Sequence, residues 1–335
     1  AVEFTEGSGP VTIVADGGPG FILTDPDNTV ATTLEGATAT IALSGISDGA
    51  AETLILGATT NLTVATVTDG AAITSITLTG TAATALTDFE AAIAAITYNN
   101  TSDEPTAGDR TVTVTFTDGP STDPGALSDT QTTTITVAAT NDAPVVQLGG
   151  AGVDDYAVEF TEGSGPVTIV ADGGPGFILT DPDNTVATTL EGATATIALS
   201  GIADGAAETL ILGAVAASLT VTTETAGLIV LTGTAATALT DFEAAIAAIT
   251  YNNTSDVPTA GDRTVTVTFT DGPDTVPGAL SDTQTTTITV AATNDAPVVQ
   301  LGGAGVDDYA VEFTEGSGPV TIVADGGPGF ILTDP

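Results

Sequence analysis

The chain has 335 residues and carries 43 acids against two cations, Arg110 and Arg263, for a formal net charge of −41. This shortage of basic side chains argues against binding to nucleic acid or to an anionic membrane surface. The absence of His and Cys excludes disulfides, thiolate metal sites and an imidazole base.

The unbalanced acids need screening by salt or by bound cations. Hard divalent cations such as Ca²⁺ suit a chain whose side-chain donors are carboxylate and amide oxygens. A soluble acidic surface adapted to a saline habitat is an alternative explanation of the charge. The apolar runs are too short to span a bilayer, so we expect no direct membrane insertion.

A long internal repeat organises the chain. The sequence Ala-Val-Glu-Phe-Thr-Glu-Gly-Ser-Gly-Pro starts at Ala1, Ala157 and Ala310, and residues 310–335 copy residues 1–26. The two full copies differ mainly in residues 58–77 against 214–230, where the second copy is shorter. A difference confined to one segment is typical of an exposed hairpin.

Within one repeat, alternation of apolar residues with Thr predicts many short strands. In residues 111–117, Val112, Val114 and Phe116 are predicted to face the core. The predicted strands are 4–6, 11–14, 37–43, 53–56, 62–67, 73–78, 111–117 and 132–137.

In one segment of the repeat, the apolar residues have the spacing of a helix rather than that of a strand. Thr87 and Glu90 have the spacing of a capping box, and Phe89, Ile93 and Ile96 fall on one apolar face. This predicts a short helix around 88–96 and a counterpart around 241–249. Short strands, Gly and Pro turns and one brief helix per repeat predict an all-β fold of tandem immunoglobulin-like or cadherin-like antiparallel β-sandwiches.

Two Asp-Pro-Asp segments are candidate ligand sites, at Asp25 and Asp27 and again at Asp181 and Asp183. Residues two apart in an extended chain point the same way, so each pair of carboxylates would face one point and attract a cation. An ordinary Asp/Pro turn is the alternative.

The sequence Val-Ala-Ala-Thr-Asn-Asp-Ala-Pro-Val-Val-Gln occurs at 137–147 and again at 290–300. It follows one predicted strand and precedes another, so it is interpreted as a joint between domains. Asn141 and Asp142 offer amide, carboxylate and backbone oxygens to a cation. A simple turn at the end of a strand is the alternative, and Glu6 and Asp118 at strand ends are equally weak when taken singly.

Taken together, these motifs resemble a known family. Phe116-Thr-Asp-Gly-Pro, Leu127-Ser, Thr-Ile-Thr-Val137 and Asn141-Asp-Ala-Pro144 resemble the end of a cadherin domain, and residues 2–28 resemble the beginning of one. The chain is more similar still to bacterial cadherin-like repeats of very large secreted adhesins, which share the Thr-Tyr-Asn-Asn-Thr-Ser and Asn-Asp-Ala-Pro motifs. The mid-domain Asp-Arg-Glu ligand signature of animal cadherins is absent, and the segment around Arg110 is no substitute.

The resemblance implies three domains: 1–142, a repeat lacking its first strand; 143–295, a complete repeat; and 296–335, the N-terminal fragment of a third. It implies calcium at the joints. The implied ligands of the first joint are Glu6, Asn141, Asp142, Asp181, Asp183 and Asp271. The implied ligands of the second are Glu162, Asn294, Asp295 and Asp334. The matching positions in the other repeats are Asp25, Asp27, Asp118 and Glu315.

The function expected from the resemblance is that of a calcium-binding spacer or filament repeat of an extracellular bacterial surface adhesin, in the setting of cell adhesion and biofilm. Its partners would be neighbouring repeats and other copies in a fibre. The alternative is an adhesive module that binds a ligand, either a sugar or another copy of itself (homophilic binding). Enzymatic activity is not expected, because the chain lacks His, Cys and Lys as bases or nucleophiles.

Overall fold

The computed structural model describes residues 1–14, 21–26, 34–119, 125–171, 176–183, 190–272, 278–324 and 329–334. Its contacts divide the chain into unit 1, Ala1–Asn141, and unit 2, Asp142–Pro335. In the part of the chain that is described, no helix is long and apolar enough to cross a membrane. The predicted domain limits near 142 and 296 remain predictions.

Unit 1 is built from short strands and one helix, α1 (Leu86–Ala94). Its described strands are β1 (Val2–Thr5), β2 (Val11–Thr12), β3 (Thr38–Ser44), β4 (Glu52–Ile55), β5 (Leu62–Asp69), β6 (Ala72–Gly80), β7 (Thr97–Asn100), β8 (Gly108–Thr117) and β9 (Ser128–Ala138). A single 3₁₀ turn, Gly49–Ala51, precedes β4.

The strands of unit 1 form two sheets. One has six strands in the order β1-β9-β8-β3-β6-β5, and the other has three in the order β2-β7-β4. The two sheets enclose one hydrophobic core, so the prediction of a β-sandwich with one short helix is confirmed. The pairing is not wholly antiparallel, because β1 runs parallel to β9 before the chain crosses to β2 in the opposite sheet.

Alternation along β8 decides which side chains enter the core. Val112, Val114 and Phe116 are 0%, 9% and 9% exposed, as predicted. The intervening Thr residues lie on the outer face, where the hydroxyl of Thr115 lies 2.9 Å from that of Thr130 on β9.

Helix α1 closes one side of the core. Phe89, Ile93 and the following Ile96 are buried, as the apolar face predicted, and the ring of Phe89 packs edge-on to Phe116 at 5.2 Å between centroids. The predicted capping box is wrong. The helix begins two residues earlier, at Leu86, and the carboxylate of Asp88 accepts the N–H of Ala85 at 2.9 Å.

The predicted cap pairs Thr87 with Glu90, but the carboxylate of Glu90 turns away from the start of the helix. Its Oε1 accepts the backbone N–H of Leu23 at 2.9 Å. Glu90 therefore joins the helix to the segment 21–26, a tertiary contact that local spacing does not encode.

Unit 2 repeats this architecture with helix α2 (Leu239–Ala247). Its described strands are β10 (Val145–Gln147), β11 (Tyr156–Thr161), β12 (Val167–Thr168), β13 (Ile178–Thr180), β14 (Thr194–Ser200), β15 (Glu208–Ile211), β16 (Leu219–Thr225), β17 (Leu228–Gly233), β18 (Thr250–Asn253), β19 (Gly261–Thr270), β20 (Ser281–Ala291), β21 (Val298–Gln300) and β22 (Ile331–Thr333).

The sheets of unit 2 follow the orders β11-β20-β19-β14-β17-β16 and β12-β18-β15, with two-stranded sheets β10-β13 and β21-β22. As in unit 1, the first strand of the large sheet, β11, runs parallel to the last, β20. The chain is therefore all-β apart from short helices, in two multi-sheet units.

Candidate functional site: domain-end acids and a buried ionic cluster

Glu6 ties the start of unit 1 to its end. Its Oε2 accepts the N–H of Thr140 at 2.9 Å and the hydroxyl of Thr140 at 3.2 Å. Glu162 makes the same two contacts with Thr293, at 2.9 and 3.3 Å. In both repeats a predicted ligand therefore forms two hydrogen bonds with the residue just before the Asn-Asp pair. These hydrogen bonds fix the position of the backbone next to that pair.

In unit 2, three predicted ligands come together. The N–H of Asp142 donates to the Oδ2 of Asp183, and the N–H of Asp183 donates to the Oδ1 of Asp181 at 3.2 Å. Asp181 is only 6% exposed. The segment forms a turn after β13 rather than the extended chain that was predicted, because Asp181 accepts the amide two residues further on.

Asp271 is the most deeply buried predicted ligand, at 1% exposed. Its Oδ1 accepts the N–H of Leu280 at 2.7 Å, and its own N–H donates to the carbonyl of Leu280 at 3.1 Å. Asp118 has the matching contact with Leu127 at 2.7 Å but is only half-buried. The same loop acid therefore sits in different solvent environments in the two units.

The remaining predicted ligands are less enclosed. Asn294 is exposed and its amide donates to the carbonyl of Asp295 at 3.2 Å. Asn141, Asp142 and Asp25 are half-buried, and Glu315 and Asp334 are exposed. Asp27 lies outside the described residues.

The described side chains include no group of three or more His, Cys, Asp or Glu that is arranged to hold a metal. The donor chemistry nevertheless suits a hard cation, since Asp142, Asp181, Asp183 and Asp271 all carry carboxylate oxygens, the ligand type that calcium prefers.

A second acidic group, not foreseen from the sequence, surrounds Arg110 inside unit 1. Arg110 is 1% exposed and Glu52 is 0% exposed. The Nε of Arg110 donates to Glu52 Oε2 at 2.7 Å, and its Nη2 donates to Asp48 Oδ2 at 3.2 Å. Nη2 also donates to the carbonyl of Thr106 at 2.8 Å. One guanidinium therefore joins two acids to the loop before β8.

The acids in this cluster are held from several sides. Glu52 Oε2 also accepts the hydroxyl of Tyr98 at 3.0 Å, and Oε1 accepts the N–H groups of Ser47 and Asp48, each at 2.8 Å. Asp48 accepts the amide of Asn100 at 2.7 Å. Since buried charges are stable only when paired and hydrogen-bonded, this cluster is a closed structural element.

Unit 2 repeats the cluster around Arg263. Its Nε donates to Glu208 Oε2 at 2.9 Å and its Nη2 to Asp204 Oδ2 at 3.3 Å. The hydroxyl of Tyr251 donates to Glu208 at 3.1 Å, and Asn253 donates to Asp204 at 2.8 Å. Both arginines of the chain are thus engaged in buried clusters.

The surroundings shift the pKa of each ionisable member of the unit 1 cluster. Burial alone raises the pKa of Glu52, but the Arg110 guanidinium and the amides of Asp48 and Ser47 outweigh it and hold the pKa below 4.5. Burial likewise raises the pKa of Asp48, but hydrogen bonds with Thr106 outweigh this effect and hold the pKa below 3.8. Burial and the Glu52 carboxylate raise the pKa of Tyr98 well above 10.0.

The alternation along β8 could have predicted that Arg110 is buried. Arg110 lies in the same alternating register as Val112, Val114 and Phe116, so the pattern that places those three in the core also places Arg110 there. Its partner Glu52 lies 58 residues away along the chain, and nothing in local spacing identifies it.

No known protein family and no curated protein matches the chain. Similar solved structures include the protocadherin GammaB4 extracellular domain, with 16% identity, 85% of this chain and 34% of that chain covered, and a TM-score of 0.26. Mouse protocadherin-24 EC1-3 is 13% identical, with 72% of this chain and 59% of that chain covered and a TM-score of 0.26. Drosophila N-cadherin EC1-3 is 13% identical, with 87% of this chain and 64% of that chain covered and a TM-score of 0.22.

The chain therefore spans less than two thirds of each of these three cadherin chains. With TM-scores this far below 0.5, the likeness carries no argument about function. The all-β architecture is taken from the chain's own strands and sheets.

Proposed function

We propose that the chain is a calcium-stiffened spacer repeat of a large extracellular bacterial adhesin or surface fibre. The observation that carries this proposal is the meeting of three acidic residues, in which the N–H of Asp142 donates to Asp183 and the N–H of Asp183 donates to Asp181, itself only 6% exposed. An ionised carboxylate is costly to bury unless it is paired, hydrogen-bonded or coordinated to a metal.

The proposed ligands are those that the resemblance implies: Glu6, Asn141, Asp142, Asp181, Asp183 and Asp271. Like charges repel one another, so without a cation the carboxylates oppose close approach. These carboxylate and amide oxygens would hold Ca²⁺, whose positive charge would offset that repulsion. The proposed consequence is a joint that resists bending when calcium is bound.

The proposed setting outside the cell is the one that the resemblance to secreted adhesins implies. Extracellular calcium modules commonly bind at about 0.1–1 mM, so they fill only where calcium is abundant. We further propose a non-enzymatic role, supported by a composition without His, Cys or Lys to act as a base or nucleophile. The proposed partners are neighbouring repeats and other copies of the chain.

The test is thermal unfolding and small-angle X-ray scattering of the full chain, in millimolar calcium and then in chelator. We expect calcium to raise the melting temperature and to narrow the distribution of overall lengths. At 100 times its dissociation constant, one bound ion adds about 2.7 kcal/mol to stability.

The informative variant is Asp181→Asn/Asp271→Asn, which removes two buried negative charges and should abolish the calcium effect. The matched control is Asp109→Asn/Asp262→Asn, because these exposed acids each accept a Thr hydroxyl at 2.8 Å and lie outside the proposed site. Identical melting and scattering of the parent chain with and without calcium would reject the proposal.

A further inference from the structure

Strand β5 is an exposed edge of the large sheet in unit 1. It stands last in the strand order, and among the described residues it is hydrogen-bonded to β6 alone. Every residue from Thr63 to Asp69 is exposed, on both faces of the strand. The opposite sheet of unit 1 has only three strands, against six in the sheet that contains β5.

The first six residues of β5, from Leu62 to Val67, lack the usual protection against pairing with another strand. Protein edges are commonly blocked by charged side chains, especially Lys, by Pro, or by a bulge. Residues 62–68 contain no charged residue and no Pro. Val64 and Val67 are 41% and 62% exposed. In a chain with a net charge of −41, this uncharged apolar strand is an unusual surface.

The counterpart strand in unit 2, β16, is protected. It carries Glu224 within the strand, and its register with β17 breaks in the middle, between Val221 and Thr223. In β5 the break comes near the end, between Val67 and Thr68, which leaves the six residues from Leu62 to Val67 in regular register.

This contrast is notable because the two repeats are otherwise nearly the same. Outside residues 58–77 and 214–230 they differ at only a few positions, and the segment that differs is the hairpin β5–β6 against β16–β17. The difference between the repeats is therefore concentrated at this edge.

We propose that β5 is a docking edge for a second copy of this chain, through antiparallel β5–β5 pairing. Antiparallel pairing centred on Thr66 sets Thr66 of the two copies opposite each other and Asp69 of one copy opposite Thr63 of the other, so no two acids face each other. In parallel pairing in register, Asp69 would face Asp69, and like charges directly opposite are destabilising. The uncharged stretch is also where two highly acidic chains repel each other least.

This pairing joins two six-stranded sheets into one continuous sheet across two copies. Backbone hydrogen bonds supply the attraction, as in other cases of strand addition at an edge. It does not depend on calcium, so it is tested in chelator, where failure of the calcium proposal has no bearing on the result.

The experiment is sedimentation velocity of the full chain over a concentration series in chelator, at about 0.15 M salt. We expect a concentration-dependent dimer. The variant Ala65→Glu/Val67→Glu, which adds acids to β5, should weaken dimerisation roughly tenfold or more. Thr222→Glu adds an acid to the middle of β16 and should leave dimerisation unchanged.

A second variant keeps the test independent of any effect of the acids on folding. The chain has no Cys, so Thr66→Cys introduces one thiol at the middle of β5 and Thr222→Cys one at the middle of β16. Under oxidation, Thr66→Cys should give a covalent dimer and Thr222→Cys should not. A chain that is monomeric at all concentrations, or equal cross-linking from both sites, would overturn the proposal.

Discussion

The buried acids of unit 2 are of two kinds, which differ in the contacts that stabilise them. Glu208 is fully buried, and Arg263 binds it directly. Asp181 and Asp271 are buried almost as deeply, and their carboxylates accept the backbone N–H groups of Asp183 and Leu280. The cluster around Arg263 and its copy around Arg110 in unit 1, together called the closed group, each contain a protein cation. Asp181 and Asp271 present carboxylate oxygens of the type that calcium binds. Burial alone therefore does not distinguish a structural acid from a proposed metal ligand.

The largest effect should come from removing the cation of the closed group. Arg110→Leu leaves Glu52 buried without its partner, and breaking a buried pair in this way costs about 3–5 kcal/mol. Urea unfolding measures the change. Asp109→Asn, at the exposed neighbour of Arg110, is the control and should stay within about 0.5 kcal/mol of the parent.

The double variant Arg110→Leu/Glu52→Leu sharpens this comparison, because removing both charges leaves no unpaired carboxylate. Much of the lost stability should return. A single variant as stable as the parent chain, or a double variant less stable than the single one, would show that the pair does not hold the cluster together.

The closed group should also determine the pH range over which the folded protein is stable. The pKa values of Glu52 and Asp48 are lowered by folding, so their contribution is present at neutral pH and is lost as the pH falls below 4.5 and 3.8 through the folded values. Because the pKa of Tyr98 is raised, its contribution is lost as the pH rises above 10.0.

Comparison with Glu52→Gln/Glu208→Gln separates this effect from the general relief of acid–acid repulsion at low pH. Urea unfolding of both proteins from pH 3 to pH 7 should show a steeper loss of stability in the parent chain as the pH falls. Parallel curves would contradict the assigned role of Glu52 and Glu208.

A smaller effect is expected from the tyrosine of the closed group. Tyr98→Phe removes the hydroxyl that donates to Glu52 while keeping the ring, which packs edge-on to Phe4 at 5.4 Å. Hydrogen bonds to charged groups contribute about 1.5–3 kcal/mol, and the other donors to Glu52 place the loss at the lower end. Unfolding of Tyr98→Phe in urea, set against Tyr156→Phe, measures it.

Part of this organisation follows from the sequence and part does not. The alternation of residues 111–117 and the apolar face of Phe89 and Ile93 predicted the sandwich and its helix, because each depends on local periodicity. The partners of Arg110 could not be predicted, since they come from loops distant in the chain. The helix start was misplaced because Asp88, rather than Glu90, provides the capping carboxylate.

Identical residues in the two units show how tertiary context limits such prediction. Ile178–Thr180 forms strand β13 because β10 pairs with it, and Leu179 is 2% exposed. The same sequence at residues 22–24 is not a strand, and Ile22 is 63% exposed. Strand formation here is decided by the partner.

The smallest predicted effect is a gain in the stability of unit 1. Helix α1 begins after Ala85, whose side chain cannot accept a hydrogen bond from the first turn. Ala85→Ser supplies an oxygen at this position and should stabilise unit 1 by about 0.5–1 kcal/mol. Thermal unfolding measures the gain, and Thr87→Ser, within the helix, is the control that should show none.

The most direct test of the contrast between the two kinds of buried acid is a calcium titration of the full chain by isothermal calorimetry. We predict saturable binding that Asp181→Asn/Asp271→Asn weakens at least tenfold, while Asp109→Asn/Asp262→Asn binds as the parent chain does. Equal binding by all three proteins, or no binding by any of them, would contradict the assignment of calcium to Asp181 and Asp271.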